Sequence, residues 1–517
     1  MQIMSEAVRL RYRAGEEDEA LSPLVRTDGA GHRLGAIQPG QELIFYDLRG
    51  EREVELSQAL SEPGFAQFAT KGEVELTTLV QYHPGLASRV AFPPEQKLKN
   101  TLCEAISSAG LRQFKVCESE KAVHIGYFFN GKTTEKFAGE DRVVVESPRV
   151  EDYSKFPEMK AKKVAEQLVA KLSDRSCQFF LVNFANIDVL GHLENEAAIL
   201  KAVEVVDREL GRVTREAQKQ GITTLITADH GTVEKWLYPD GAIDTGHTSS
   251  PVPLILADDR LKSAGATLGD GELADLPATI LQILGLPIPR EMTGKSLISK
   301  GGGQSGRVLL IIADGWGQRE ESYGNLILKA PTPNFDRLWS EYPHSRLQAS
   351  GLAVGLPEGT VGNSEAGHLH LGAGRRVYSD RVRIDRAIED RSFYANAALL
   401  QAIQSSIQKK TALQLLGIVS FYSSHGSLKH LYALLELARM QEVKEVYVHS
   451  LLGRRGERPE SGAHYIEEVE VFCEKLGLGK VATVMGRFWA LDREQNWDRV
   501  EKAYRALVFG DGIAVKE

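Results

Sequence analysis

The sequence predicts two α/β domains, each built on a doubly wound sheet, and three observations predict them. Apolar runs of strand length stop abruptly at acidic residues. Stretches of helical length and periodicity separate those runs. At 517 residues the chain exceeds what one ordinary core organises, so two or three domains are expected. Strands alternating with helices imply sheets flanked by helices, and in such sheets ligands gather beyond the carboxyl ends of the strands.

The middle of the chain carries the first set. QFFLVNFANID ends at Asp188, TTLITADHG runs into Asp229 and His230, PVPLILAD is a further buried strand, and RVLLIIADGWG ends at Asp314 and Gly315. Continuous apolar runs of this length have the composition of buried parallel strands. PEMKAKKVAEQLVAKL and AAILKAVEVVDRELGRVTREAQKQ supply helices between them, and LADLPATILQILGLPIPREMTGKSLI reads as an amphipathic helix followed by a turn. A second set lies in the last third: LQLLGIVS, EVKEVYVHS and KVATVMGRFWALD as strands, with KHLYALLELARM as a helix. QELIFYDLRGERE, near the start, can join that same sheet, so the chain visits one domain, then the other, then returns. SKGGGQSG, Ser299 to Gly306, reads as a flexible connector.

The composition is that of an ordinary soluble protein, 42% apolar and 26% charged. A net charge of −8 argues against a general nucleic-acid binder, which needs a basic surface to displace counterions. Cys103, Cys117, Cys177 and Cys473 are scattered without metal-type spacing, as in a reducing compartment. The opening MQIMSEAVRLRYRAGEEDE lacks an apolar leader segment, and no run is long enough to span a membrane, so a cytoplasmic location and no membrane partner are expected.

Two polar pairs and two single polar residues fall at the strand ends. Asp188 and His192 lie four residues apart, so one helical turn can aim both at one ion. Asp229 and His230 are adjacent; their side chains diverge, which suits ligands of two ions, or of one ion and its neighbour. DTGHTSSPVP adds His247, and Asp314 closes its own strand. Singly, a strand-end aspartate caps a helix or forms a turn, and a lone histidine is a surface or core residue. Together they read as a metal constellation. Mixed carboxylate and imidazole ligands suit Mn²⁺ or Zn²⁺ better than calcium, and two ions can clamp the attacking and leaving oxygens of a phosphoryl group.

GTVGNSEAGHLHLGAGRR surrounds Ser364. Gly362 and Gly367 would let the backbone turn sharply and approach an anion. A divalent ion beside a serine hydroxyl lowers its pKa and makes it a nucleophile. The plainer alternative is that Ser364 only caps a helix. His368 and His370 can be taken as extra ligands, but structural roles suit both better.

These segments, RVLLIIADGWGQREESYGNLI, ASGLAVGLPEGTVGNSEAGHLHLGAGR, NFANIDVLGH, TADHG and GHTSSPVP, resemble the cofactor-independent (2,3-bisphosphoglycerate-independent) phosphoglycerate mutases of the alkaline phosphatase superfamily. The resemblance covers nearly the whole chain in a changed order. The family begins with the segment that here starts at Arg307 and ends near GKSLI, so the chain looks like a circular permutant whose connector joins the family's ends. The resemblance implies an alkaline phosphatase-like metal domain over 96–300 and 307–378 and a transferase domain over 379–517 and 1–95, with hinge candidates near 96 and 379. It implies two divalent ions, Mn²⁺ first with Zn²⁺ or Mg²⁺ as alternatives. Asp188, His192 and His247 would hold one; Asp314, Ser364, Asp229 and His230 the other. Lys121, in CESEKAVHIGYFFNG, matches a lysine at the phosphoryl group. Arg49 and Arg52 match an arginine pair that reaches the phosphate from the second domain, where the guanidinium fork suits phosphate oxygens. His449 and Arg493 match glycerate-binding positions.

The implied reaction is the interconversion of 3-phosphoglycerate and 2-phosphoglycerate through a phosphoserine at Ser364, in a monomer. The second-domain loops depart from the family's pattern. An acidic LDGRD is here LLGRRG, Leu451 to Gly456; SDGGVHSH is SFYSSHGS, Ser420 to Ser427; RPDR is RGER; YARG is YRAG, which displaces Arg13 by one position; and MDRD is LDRE, which puts Glu494 where an aspartate meets the substrate hydroxyls. Two other readings follow from those departures: a phosphomonoesterase or mutase for another phosphorylated acid or sugar, and a catalytically silent binding protein that keeps the fold.

Overall fold

The computed structural model describes residues 3–94, 97–300, 305–421, 423–453 and 460–517. The chain divides into two compact units, one of Met1–Pro94 with Asp380–Glu517, the other of Glu95–Ser379.

The unit of residues 95–379 is built on eight strands in the spatial order Gly271–Glu272, His344–Gln348, Val252–Ala257, Thr223–Thr227, Val308–Ala313, Cys177–Phe184, Arg112–Glu118 and Glu140–Val145. The last five run parallel. Every residue of Val308–Ala313 is buried, as its unbroken apolar run requires of a central parallel strand. The predicted helices form as Ala161–Leu172, Glu196–Lys219 and Leu276–Leu284. Asn195 caps the second by accepting from the Ala198 amide, and Gly285, at φ 74°, ends the third in the left-handed region.

PVPLILAD does not continue the parallel design. Val252–Ala257 runs antiparallel to both neighbours. No crossover helix separates it from Thr223–Thr227: the intervening chain carries the short turn Val233–Lys235 and stays at the carboxyl end of the sheet, so it re-enters from that end. The connector also starts later than expected. Ile298–Lys300 is a strand paired with Thr267–Leu268, while 301–304 lie outside the described residues.

The other unit carries a second eight-stranded sheet, ordered Ile513–Lys516, Leu24–Thr27, Lys480–Gly486, Val446–Leu452, Leu413–Ile418, Glu42–Phe45, Glu75–Thr78 and Arg89–Val90. Both chain segments share it: Leu415 pairs with Ile44 in a parallel ladder. The winding direction reverses between Leu413–Ile418 and Glu42–Phe45, which makes their carboxyl ends a topological switch point. KVATVMGRFWALD splits at Gly486, where the strand gives way to the short helix Arg487–Ala490. The charged opening segment forms an unanticipated helix, Ile3–Arg13, whose Met4 and Ser5 amides donate to the buried Glu470 carboxylate. All four cysteines are buried and unpaired. Among the described residues, no helix is long and apolar enough to cross a membrane.

Candidate active site

Three adjacent parallel strands deliver three aspartates to one place. Asp314 follows Val308–Ala313, Asp229 lies just past Thr223–Thr227, and Asp188 sits in the short helix Asn186–Gly191 that follows Cys177–Phe184. The ladder puts Ala313 opposite Phe184 and Ile312 opposite Thr227, so the strand ends lie side by side. Gly315 makes the turn behind Asp314 possible. Its φ is 83°, and a Cβ there would stand 2.9 Å from the Asp188 amide nitrogen.

Three histidines close on these carboxylates. His247 Nε2 lies 3.1 Å from Asp188 Oδ1 and 3.2 Å from His192 Nε2, and His192 Nε2 lies 3.4 Å from Asp188 Oδ1. His230 Nε2 lies within 3.4 Å of Asp229 and 3.5 Å of Asp314. Each ring is held from behind by a backbone carbonyl at Nδ1: Thr245 for His192, Gly362 for His247, Gly231 for His230. That bond fixes the proton on Nδ1 and leaves the Nε2 lone pair facing the carboxylates.

The donor set fits divalent cations. Asp229 Oδ1 and Asp314 Oδ1 are buried with no hydrogen-bond donor, and lone pairs of His192 and His247 face each other. Such an arrangement calls for positive charge. Candidate ligand groups are Asp188 with His192 and His247, Asp188 with His230 and Asp314, and Asp229 with Asp314 and His368.

Lys121 supplies a cation of the protein's own. It ends the turn Ser119–Lys121 after strand Arg112–Glu118, is buried, and lies 2.7 Å from Asp188 Oδ2 and 2.9 Å from Asp314 Oδ2. Burial alone would lower its ammonium pKa, but Asp314, Asp188 and Asp229 outweigh that and raise it. Reciprocally, burial pushes the Asp188 carboxyl up, but the Lys121 ammonium outweighs it and holds the carboxyl well below the usual range. Asp314 moves the other way: burial, then repulsion from Asp229, raises it.

Ser364 is the first residue of helix Ser364–Ala373, and it is not the cap. Asn363 caps the helix, accepting from the Ala366 amide at 2.8 Å. The serine hydroxyl is therefore free to meet Lys121 Nζ at 2.8 Å and His230 Nε2 at 2.9 Å. Gly362 and Gly367 serve close packing, not a left-handed turn. A Cβ at 367 would stand 2.7 Å from Asp229 Cβ, and one at 362 would stand 3.0 Å from His230 Cβ.

A cavity of about 550 Å³ opens on this cluster, lined by Lys121, Asp188, His192, His247 and Ser364 together with Glu120, His124 and Glu365. His124 escaped the sequence reading. Burial lowers its imidazole pKa to about 3, so it faces the cavity neutral. His368, for which the sequence favoured a structural role over a ligand's, stands with Asp229 and Asp314 in one of the candidate groups; a helix-borne histidine carries no signal of which strand end it meets. His370 is structural: burial lowers it to about 4, and its ring bonds the Ala366 carbonyl and the Val377 amide.

The remaining candidates lie in the other unit. Arg49 and Arg493 both meet Glu51, at 3.7 and 3.2 Å, and Arg52 donates to the Leu491 carbonyl at 3.2 Å. Glu494 follows Arg493 on the loop whose amides are held by Asp492. These residues gather beside the switch point, where His425 Nδ1 lies 2.6 Å from the buried Glu53 carboxylate. His449 does not join them. It is fully buried in mid-strand, bonded at both nitrogens to Thr483 Oγ1 and Gln414 Oε1, and burial lowers it to about 3. The altered loop at 451–456 is described only as far as Gly453, and that at 420–427 without residue 422.

Comparison with known proteins adds the family. The description "Metalloenzyme superfamily" matches residues 18–288, more than half of the chain, and "BPG-independent PGAM N-terminus" matches residues 384–517. A protein of Moorella thermoacetica named 2,3-bisphosphoglycerate-independent phosphoglycerate mutase is 40% identical over 300 residues, 57% of each chain. Proteins of the same name from Nostoc sp. and Myxococcus xanthus are 40% identical over 301 residues and 50% identical over 206, covering 57% and 40% of this chain and 55% and 40% of theirs. Each alignment thus spans little more than half of its relative, or less. With three aspartates, three histidines and a freed serine at the carboxyl ends of adjacent strands, and with these matches, the chain belongs to the metalloenzyme superfamily, and its residues 384–517 match the N-terminal family of the BPG-independent phosphoglycerate mutases.

Proposed function

We propose that this chain interconverts 3-phosphoglycerate and 2-phosphoglycerate through a phosphoserine at Ser364. One observation carries the reading: the Ser364 hydroxyl, relieved of capping by Asn363, sits 2.8 Å from the Lys121 ammonium inside the cavity that the candidate metal ligands line. Asp188, His192 and His247 would hold one divalent ion, and Asp314, Asp229, His230 and Ser364 a second. Mn²⁺ is the first choice for this mixed oxygen and nitrogen set. When bound, such ions supply Lewis-acid charge that lowers the serine hydroxyl's pKa and neutralises phosphoryl oxygens.

The chain's own groups do the rest. Lys121 Nζ donates to Ser364 Oγ and stabilises negative charge as that oxygen bonds to phosphorus. The substrate's P–O bond breaks, and the glycerate's other hydroxyl later takes the phosphoryl group back from Ser364. Arg49, Arg52 and Arg493 are suited to hold the acid's anionic groups, with Glu494 accepting from its hydroxyls. His449 is left out of this assignment, because both its ring nitrogens are occupied. Water must be kept from the phosphoserine, or the outcome is hydrolysis.

We also infer that the chain is circularly permuted. The segment matching an N-terminal family description lies at 384–517, and the match to the Moorella relative covers 57% of each chain. Both are what a changed segment order produces.

The test is an assay with 3-phosphoglycerate and Mn²⁺ that resolves 2-phosphoglycerate from free phosphate, with Ser364→Ala in parallel. Isomer formed without phosphate release, and lost in the variant, is the expected result. Phosphate release alone would make the protein a phosphatase, and full activity of the variant would sink the serine assignment.

A further inference from the structure

Asn183 lies behind the metal-ligand cluster, in strand Cys177–Phe184, where it pairs with Ile312 and is fully buried. Its Nδ2 lies 2.8 Å from Asp314 Oδ2 and 3.0 Å from His368 Nε2. Asp314 Oδ2 also lies 2.9 Å from the Lys121 ammonium and so acts as an acceptor, and the amide presents its nitrogen to it; the reversed amide would set oxygen against oxygen. The amide has two hydrogens, one for each neighbour. Donating to His368 Nε2 makes that nitrogen the acceptor and places the ring proton on Nδ1. His368 Nδ1 in turn lies 2.8 Å from the Ser364 carbonyl oxygen and 3.2 Å from Asp229 Oδ2. Meanwhile Asn183 Oδ1 is buried without a donor, a cost that an apolar strand residue would avoid.

We propose that Asn183 is a positioning residue for one ion of the pair. Through one N–H it aims the Asp314 carboxylate, and through the other it fixes the His368 tautomer that holds Asp229 and the first turn of the Ser364 helix. Its hydrogen bonds go to Asp314 and to His368, and through His368 to Asp229 and the Ser364 carbonyl, and not to Asp188, His192 or His247. Loss of the amide should therefore weaken one ion and spare the other. The inference rests on the two-ion reading given above.

The experiment is titration of Mn²⁺ into the metal-free protein, with free ion followed by electron paramagnetic resonance, for wild type, Asn183→Leu and Asn183→Thr. Thermal midpoints of the metal-free proteins are recorded alongside. The expected result is two ions in wild type and, in both variants, one dissociation constant raised by about 10–100-fold while the other keeps its wild-type value. Asn183→Thr, whose side chain suits a strand, decides the question if the leucine variant does not fold. Two unchanged constants in a folded variant, or two that rise together, would overturn the proposal. A wild type that binds no pair of ions would instead remove the two-ion reading, and this inference with it.

Discussion

Lys121→Met tests the electrostatics of the cluster before any substrate is added. The ammonium stands 2.7 Å from Asp188 and 2.9 Å from Asp314, and an effective dielectric of about 20 gives each contact roughly 6 kcal/mol of attraction. Several kcal/mol of that are lost to desolvating the ammonium. Removing one partner from a buried ion cluster, which leaves the carboxylates uncompensated, costs about 3–5 kcal/mol. The unit that holds them runs from Glu95 to Ser379, 285 residues counted from those limits. At about 2.1 cal/mol/K per residue its unfolding entropy is about 0.6 kcal/mol/K, so the metal-free midpoint should fall by about 5–8 °C. Mn²⁺ supplies the missing positive charge, so its addition should raise the variant's midpoint by more than it raises the wild type's. Differential scanning calorimetry in chelator, then in Mn²⁺, measures both. A metal-free variant that melts with the wild type would refute the reasoning, because the carboxylates would then be compensated without the lysine.

Two further outcomes follow from burial elsewhere. His449→Leu should destabilise the protein by about 2–4 kcal/mol in denaturant titration, since it orphans Gln414 Oε1 and Thr483 Oγ1, and should leave KM unchanged; a raised KM at unchanged stability would return His449 to the substrate contacts. Burial pushes the Glu140 carboxyl up, but Lys115 at 3.0 Å and Arg142 overcome this and depress it from the ordinary 4.5 to about 2. The folded-state value is the lower one. Its contribution, about 3 kcal/mol, is therefore complete above pH 4.5 and lost as pH falls from there through 2. Chemical denaturation at a series of pH values should show the gap between wild type and Glu140→Gln closing on the acid side, and a gap independent of pH would contradict it.

Much of the architecture was legible because strand and helix periods are local properties. The runs ending at Asp188 and Asp314 stand as central parallel strands, since an unbroken apolar run has few other places to go. The direction of Val252–Ala257 was not legible. Its composition matches its parallel neighbours, and orientation is set by where the preceding loop leaves the chain. Motif spacing singled out the carboxylates and histidines that the structure brings together as candidate ligands. Asn183 and His124 were not, and His368 was read first as structural, because an asparagine in a strand and a histidine on a helix look ordinary until tertiary structure supplies their neighbours. His449 shows the opposite error. The resemblance implied a glycerate-binding role for its place in VYVHS, yet alternation in the strand points it into the core, where neighbouring strands supply partners for both nitrogens.

The measurement that bears most directly on the central claim is the state of Ser364 during turnover. Protein mixed with Mn²⁺ and 3-phosphoglycerate is quenched in acid, digested, and analysed by peptide mass spectrometry. The account predicts one phosphoryl group on the peptide that contains Ser364, absent from Ser364→Ala and from protein quenched before substrate. Isomer formation with that serine unmodified at every quench time would contradict it.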